Sequence, residues 1–132
     1  MTIAGQFGCG RCFQADAESA YKAFPGFKEV ARLIDESHYI IRIAACPNCG
    51  QRCVSVFTEL IDWEDGDDSQ CWTVLPVTEQ EATELATQGE GMDVAHIQAL
   101  GEGRRSLRRI SPSGQSPGVA WVTGKVVILP HD

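Results

Sequence analysis

The alternation of apolar and polar residues along the chain predicts a mostly antiparallel sheet. Glu36-Ser37-His38 and the acidic run 64–69 are typical of turns, and each separates two alternating segments. A bend or bulge is expected at Thr123-Gly124, inside the last alternating segment. The strands predicted in this way cover residues 29–35, 39–45, 54–63, 71–77 and 119–129.

Helical periodicity and capping residues predict three short helices between these strands. Thr78 and Glu81 have the spacing of a capping box, and Gly89 suits a helix C-terminus. Asp16 and Asp93 are expected N-caps of the other two helices. The predicted helices cover residues 17–24, 79–88 and 94–100. Together the patterns predict one α+β domain over residues 1–132, with a mobile loop at 111–118 that is rich in Ser, Pro and Gly.

Two Cys-x-x-Cys units carry the strongest chemical signal in the sequence. Cys9 and Cys12 form the first unit, and Cys46 and Cys49 form the second. Each unit can direct two sulfurs to one point, and four thiolates suit a closed tetrahedral Zn²⁺ site. We therefore expect one structural zinc ion, which ties the start of the chain to its middle.

The second unit, Cys46-Pro47-Asn48-Cys49-Gly50, resembles the knuckles of zinc-ribbon and rubredoxin-like proteins. The resemblance implies a positive φ at Gly50, which lets backbone amides point at the sulfurs. The first unit departs from this pattern, because Phe13 follows Cys12. Either Gly10 supplies the flexibility there, or the first knuckle is less regular.

Other roles for the cysteines are less well supported. A redox dithiol requires a helix after the motif to lower the thiol pKa, whereas residues 53–57 alternate like a strand. An iron electron carrier would leave the C-terminal half without a role. Cys53 lies close enough to substitute for a knuckle ligand, but we expect Cys53 and Cys71 to be ordinary sheet residues. An acidic turn centred near Gly66 would place Cys71 opposite about Asp62, too far from Cys53 for a disulfide.

The chain is acidic, with a formal net charge of −7 and a pI of about 4.9. Such a surface repels phosphate backbones and attracts cationic partners. The first ten residues lack the features of a secretory signal, and no apolar run reaches membrane length. We therefore expect a cytoplasmic protein that does not bind membranes.

The turn between the second pair of predicted strands concentrates negative charge between two tryptophans. It is a candidate docking surface for a partner with a basic surface, although a solvated turn and two core tryptophans are the simpler interpretation. The candidate partner-binding residues are Glu64, Asp65, Asp67, Asp68, Trp63 and Trp72.

A group of arginines just before the 111–118 loop keeps an alternative function open. Zinc ribbons often serve nucleic-acid machinery, so these residues would contact RNA or DNA in an accessory factor of transcription or translation. Local pairing with acidic side chains is the simpler role, because four arginines are few in so acidic a chain. The residues are Arg104, Arg105, Arg108 and Arg109.

Catalysis is not indicated by any motif. His38, His96 and His131 are scattered along the sequence, and no nucleophile or phosphate-binding motif accompanies them. A Cys₄ zinc site also has no open position for a catalytic water. The sequence thus predicts a non-enzymatic protein that binds another protein, such as an inhibitor or immunity protein for a cationic toxin or enzyme. The nucleic-acid factor is the alternative, and a thiol or iron redox protein ranks third.

Overall fold

A single antiparallel sheet contains six strands in the part of the chain that the computed structural model describes. The described residues are 7–61, 63–64, 68–91, 93–111 and 116–128. Neighbours in the sheet are also neighbours in sequence, so the sheet is a meander of the predicted antiparallel kind. The strands are β1 (Lys28–Glu36), β2 (Tyr39–Ala45), β3 (Arg52–Leu60), β4 (Ser69–Val77), β5 (Arg105–Ser111) and β6 (Gly118–Thr123).

Three short α-helices accompany the sheet, close to the predicted positions. They are α1 (Ala17–Ala23), α2 (Glu79–Gln88) and α3 (Val94–Leu100). The capping box of α2 is present, because Glu81 N–H donates to Thr78 Oγ1 at 3.1 Å and Thr78 N–H donates to Glu81 Oε1 at 2.8 Å. Asp93 accepts from the amide of Ala95 at the start of α3. The α+β fold class predicted from the pattern is therefore confirmed.

The two faces of the sheet bury different clusters. Successive strand residues point to opposite faces, so Val54 and Val56 lie on one face while Cys53 and Ser55 lie on the other. The first face, which we call the helix face, packs against Ala82 and Leu85 of α2 and Ile97 of α3. The second, which we call the knuckle face, packs against α1 and the first cysteine unit. The buried residues of its cluster are Ala20, Phe24, Phe27, Ala44, Cys46, Cys53, Val74 and Leu107.

The pairing of β3 with β4 differs from the sequence-based expectation. Cys71 lies opposite Thr58, not Asp62, and β3 ends at Leu60. The register follows the buried face: Val54 pairs with Leu75, and a slip of one residue would move both side chains to the opposite face. Burial therefore sets the register more strongly than the position of Gly in the turn.

The C-terminal half contains one strand that the sequence analysis did not assign. Strand β5 holds three of the four clustered arginines, and its two apolar residues, Leu107 and Ile110, are three positions apart, so the period-two alternation of a strand is absent. The following strand, β6, ends at Thr123, and Gly124 has a φ of 117°. The strand predicted over residues 119–129 is therefore too long, because it ends at the expected change of direction and residues 124–128 are not strand. Half of the predicted mobile loop, residues 112–115, lies outside the described residues, and its two ends, Ser111 and Gly118, belong to β5 and β6.

Candidate metal centre

The second cysteine unit lies in a tight turn between β2 and β3. Gly50 N–H donates to Cys46 O at 2.8 Å, and Cys46 N–H donates to Gln51 O at 3.0 Å. Gly50 has a φ of 80°, as the resemblance to zinc knuckles implied. Because β2 leads into the turn and β3 leads out of it, the sheet holds Cys46 and Cys49 in place.

The first cysteine unit forms a similar turn without a glycine after its second cysteine. Phe13 N–H donates to Cys9 O at 2.9 Å, the equivalent of the bond made by Gly50. The positive φ in this unit belongs to Gly8, at 71°, and not to Gly10. A Cβ atom on Gly8 would lie 2.7 Å from Cys12 Sγ, so a larger residue would disturb the cysteine. The expectation that Gly10 supplies the flexibility is therefore wrong, and the glycine with that role directly precedes Cys9.

The two units meet at one point, as their matched spacing predicted. The sulfurs of Cys9, Cys12, Cys46 and Cys49 all lie within 4.8 Å of one another. The Cys9–Cys12 and Cys12–Cys49 sulfur distances are 3.8 and 3.7 Å. A tetrahedral ion with metal–sulfur bonds of about 2.3 Å requires sulfurs about 3.8 Å apart. The four thiols can therefore hold a tetrahedral metal ion.

Hydrogen-bond donors surround the sulfur of Cys9. Asn48 Nδ2 and the amide of Arg11 each donate to Cys9 Sγ at 3.4 Å. The side chain of Asn48, followed by the amides of Cys12 and Arg11, lowers the pKa of Cys9 to about 6. Such donors stabilise a thiolate, which is the form that binds a metal.

Burial acts in the opposite direction on two other thiols of the tetrad. Desolvation raises the pKa of Cys12 and of Cys49, although an amide hydrogen bond partly offsets it in each case. Four thiolates within 4.8 Å of one another would repel each other without a cation, so a divalent ion is needed to hold all four deprotonated. The donor set consists of soft sulfur ligands, which suit zinc or iron rather than magnesium or calcium.

The other two cysteines are buried sheet residues, as expected. Cys53 in β3 is 5% exposed and Cys71 in β4 is 4% exposed. Burial raises the pKa of Cys53 to about 12, so its thiol stays protonated at neutral pH. Neither residue belongs to the group of sulfurs that meets at the metal centre.

Arg105 on β5 attaches the first cysteine unit to the sheet. Its guanidinium lies over the rings of Phe13 and Trp121, at 4.0 and 3.9 Å from the two centroids, and the two rings touch each other edge to face. The same group donates to the carbonyl oxygens of Phe13 and Gln14 at 2.7 and 3.1 Å. Cys12 immediately precedes these residues, so Arg105 fixes the position of half of the tetrad. Sequence reasoning gave Arg105 a different role, because the contact joins residues 92 positions apart.

The arginine cluster is divided among several environments. Arg104 donates to both carboxylate oxygens of Glu81, at 2.8 and 2.7 Å. Arg109 lies over the ring of Tyr21 on the knuckle face, whereas Arg108 points to the helix face. Local pairing, the simpler expectation, therefore holds for Arg104.

The hairpin between β3 and β4 ends in an exposed tryptophan. Trp63 is 84% exposed, and Glu64 follows it in the same turn. Trp72 is different, because its Nε1 donates to Ser55 Oγ at 2.6 Å and its ring packs against Phe24. The expectation of two core tryptophans is thus wrong for Trp63. Asp68 lies just before β4, and Asp65 and Asp67 fall outside the described residues.

One histidine has a partner that the sequence did not indicate. His38 Nδ1 lies 3.0 Å from Glu59 Oε1, and Gln70 Nε2 donates to Glu59 Oε2 at 2.7 Å. His96 lies on α3, and His131 is outside the described residues. The His38–Glu59 contact links the turn after β1 to β3. That the protein is not an enzyme stays a prediction.

The fold and the cysteines define the protein as an α+β meander with a thiol tetrad suited to a metal ion. No family model, curated protein sequence or solved structure matches the chain. Within the described residues, no helix has the length and apolar character needed to span a bilayer.

Proposed function

We propose that this chain is a non-enzymatic, zinc-stabilised protein that binds a partner with a basic surface. The exposure of Trp63 at the acidic end of the β3–β4 hairpin carries the proposal. Exposed tryptophans are frequent energetic centres of protein interfaces, and carboxylates around one favour a cationic partner. Residues 59–68 include six acidic side chains and no basic one.

The metal centre has a structural role in this proposal. Strand β3 begins three residues after Cys49 and runs from Arg52 to Leu60 before the tip, which is about 27 Å at the usual rise per residue. The metal centre is therefore too far from Trp63 to form part of the partner-binding surface at the tip. Zinc is the metal we propose, and analysis of protein purified without added metal is expected to give one zinc per chain. Iron in its place would support the redox class.

An inhibitor or immunity protein for a cationic toxin or enzyme fits this charge pattern best. A negative tip accelerates association with a positive surface and can cover a positive active site. The alternative function in nucleic-acid binding has less support, because two of its four arginines are engaged within the protein: Arg104 pairs with Glu81, and Arg105 lies over two aromatic rings. We therefore expect no salt-sensitive binding to RNA or DNA.

Capture of partners from the native host with wild-type and Trp63→Ala baits tests the proposal. Trp63 is exposed, so the substitution is expected to leave the melting curve unchanged while binding weakens at least tenfold. Val30→Ala is the matched control, since Val30 is also exposed but lies on β1. Basic proteins retained by wild type and V30A and lost by W63A would support the proposal. Equal capture by all three baits, or captured proteins without a basic surface, would contradict it.

A further inference from the structure

The two edges of the sheet differ in how they are protected against further pairing. Strand β1 carries charged residues and two register shifts, features that discourage the addition of another strand. Strand β6 has the sequence Gly-Val-Ala-Trp-Val-Thr, with no charge and no proline. No described strand pairs with its outer side. The outer edge of β6 therefore has no charge or proline to prevent pairing with an added strand.

A groove on the helix face borders this edge. It has a volume of about 290 Å³ and forms because β6 presents small residues there, Gly118 and Ala120, opposite Ile110 and Arg108 of β5. Helices α2 and α3 pack on the earlier strands of the same face. A strand added beside β6 would direct every second side chain over Gly118 and Ala120, where space is available.

Arg108 gives the groove its chemical character. Its Nε atom is buried without a hydrogen-bond partner, and its guanidinium makes no hydrogen bond or ion pair with any described residue. Arg105 Nε is also buried without a partner, but the Arg105 guanidinium donates to two carbonyl oxygens. Arg104 and Arg109 also have a described partner, so Arg108 is the arginine of the cluster whose guanidinium pairs with no described residue. A buried donor without a partner is costly, and a carboxylate is the acceptor that matches a guanidinium best.

The register places this cation within reach of an added strand. Arg108 lies directly opposite Ala120, so the next residue in the same row would belong to the added strand, about 10 Å from Arg108 at the usual spacing. Only the methyl group of Ala120 lies between them. A glutamate or aspartate in that row can therefore lean over Ala120 and meet the guanidinium.

We infer that β6 binds an extended peptide segment by strand addition and that Arg108 selects a segment with one acidic side chain among apolar ones. A second copy of the chain is a poorer occupant, because β6 contains no acidic residue and would leave Arg108 of both copies without a partner. A strongly acidic segment is also a poor occupant, since the chain itself has a net charge of −7.

Selection from a randomised library of eight-residue peptides displayed on phage, with the wild-type protein as the target, tests the inference. The enriched peptides are expected to alternate apolar residues with one Glu or Asp. Replacing that residue by Gln or Asn in the synthetic peptide should weaken binding at least tenfold, since hydrogen bonds between charged groups are the strong ones. In the selected complex, the backbone amides of β6 should show the largest chemical-shift changes.

Two neighbouring arginines on opposite faces provide matched variants. Arg108→Gln should abolish the preference for the acidic peptide, whereas Arg109→Gln should retain it. Ala120→Phe, at an exposed position, should fill the groove and weaken binding of every selected peptide while the protein stays folded. Enrichment of peptides without an acidic residue, no enrichment at all, or a preference unchanged in R108Q would overturn the inference. A concentration-dependent dimer formed through β6 would also overturn it.

Discussion

At the scale of single residues, Cys46 and Cys53 have similar burial but different roles, since Cys46 is a candidate metal ligand and Cys53 is a core residue. Both are almost fully buried, at 2% and 5% exposure. Cys46 directly follows β2, Cys53 lies near the start of β3, and both belong to the knuckle-face cluster. Cys46 belongs to the group of four sulfurs and Cys53 does not. Burial alone cannot distinguish them, so the position of each sulfur decides its chemistry.

Cys46→Ser is expected to abolish stoichiometric zinc binding and lower the melting temperature, because a structural site contributes its binding energy to folding. Cys53→Ser provides the control, and we expect it to keep one zinc per chain and lose only about 1 to 3 kcal/mol of unfolding free energy for a buried hydroxyl. Metal content by mass spectrometry and thermal melts measure both. Full zinc content in C46S would refute the assignment.

Arg105 shows how a residue outside the tetrad can support a metal centre. We expect Arg105→Gln to lower the unfolding free energy by about 2 kcal/mol and zinc affinity about tenfold, because the Phe13 and Gln14 carbonyls lose a charged donor. Arg105→Lys should not restore either quantity, since an ammonium cannot stack on an aromatic ring while donating to two carbonyls as the planar guanidinium does. Urea unfolding and competition with a chelator measure the two effects. Losses of similar size in Arg109→Gln would show that the effect is not specific to Arg105.

At the scale of elements, the start of α2 combines a local motif with a long-range contact. Thr78 and Glu81 form the capping box that the sequence predicted, and the same Glu81 carboxylate accepts both hydrogen bonds from Arg104. Side chains of Glu81 and Arg104 are 19% and 18% exposed, so water screens the pair only in part. One carboxylate thus joins α2 to the segment that enters β5.

The pH dependence of this contact provides a test. The Arg104 hydrogen bonds hold the pKa of Glu81 below its ordinary value of 4.5, so its contribution is present above that pH and is lost as the pH falls through the lower folded-state value. Glu81→Gln is expected to cost about 2 kcal/mol at pH 7 and progressively less in acid. Urea unfolding of wild type and variant across pH 3–7 measures the difference.

Glu84→Gln on the same helix is the control for that experiment. Glu84 accepts one hydrogen bond from the exposed side chain of Gln80, so we expect a cost within about 0.5 kcal/mol at every pH. A Glu81→Gln cost that stays constant down to pH 3 would show that the carboxylate charge does not contribute.

At the scale of the whole molecule, the sheet separates two packed clusters that depend differently on the metal. The knuckle-face cluster includes Cys46 and lies against Cys9 and Cys12, whereas the helix-face cluster contains no member of the tetrad. Removal of the metal therefore withdraws support from one face of the sheet. Strands β2 to β4 contribute side chains to both clusters and connect the two.

Removal of the metal with a chelator should therefore loosen the knuckle face before the helix face. We expect amides of α1 and of residues 46–51 to lose hydrogen-exchange protection, while amides of α2 and the centre of β3 stay protected. Exchange monitored by mass spectrometry, before and after chelation, measures the pattern. Equal loss of protection on both faces would mean that the molecule unfolds as one unit without its metal.

The sequence by itself determined the features that depend on short-range order. Strand alternation, the Thr78–Glu81 capping box and the spacing of the Cys-x-x-Cys units are local, so the fold class and the four metal-centre residues followed from them. Contacts between residues that are distant in the chain were decided only by the tertiary structure. Arg105 lies 92 residues from Phe13, and the opposition of Arg108 to Ala120 depends on a strand whose sequence lacks period-two alternation. The physical reason is that burial sets strand register and side-chain partners, and burial exists only once the chain has folded.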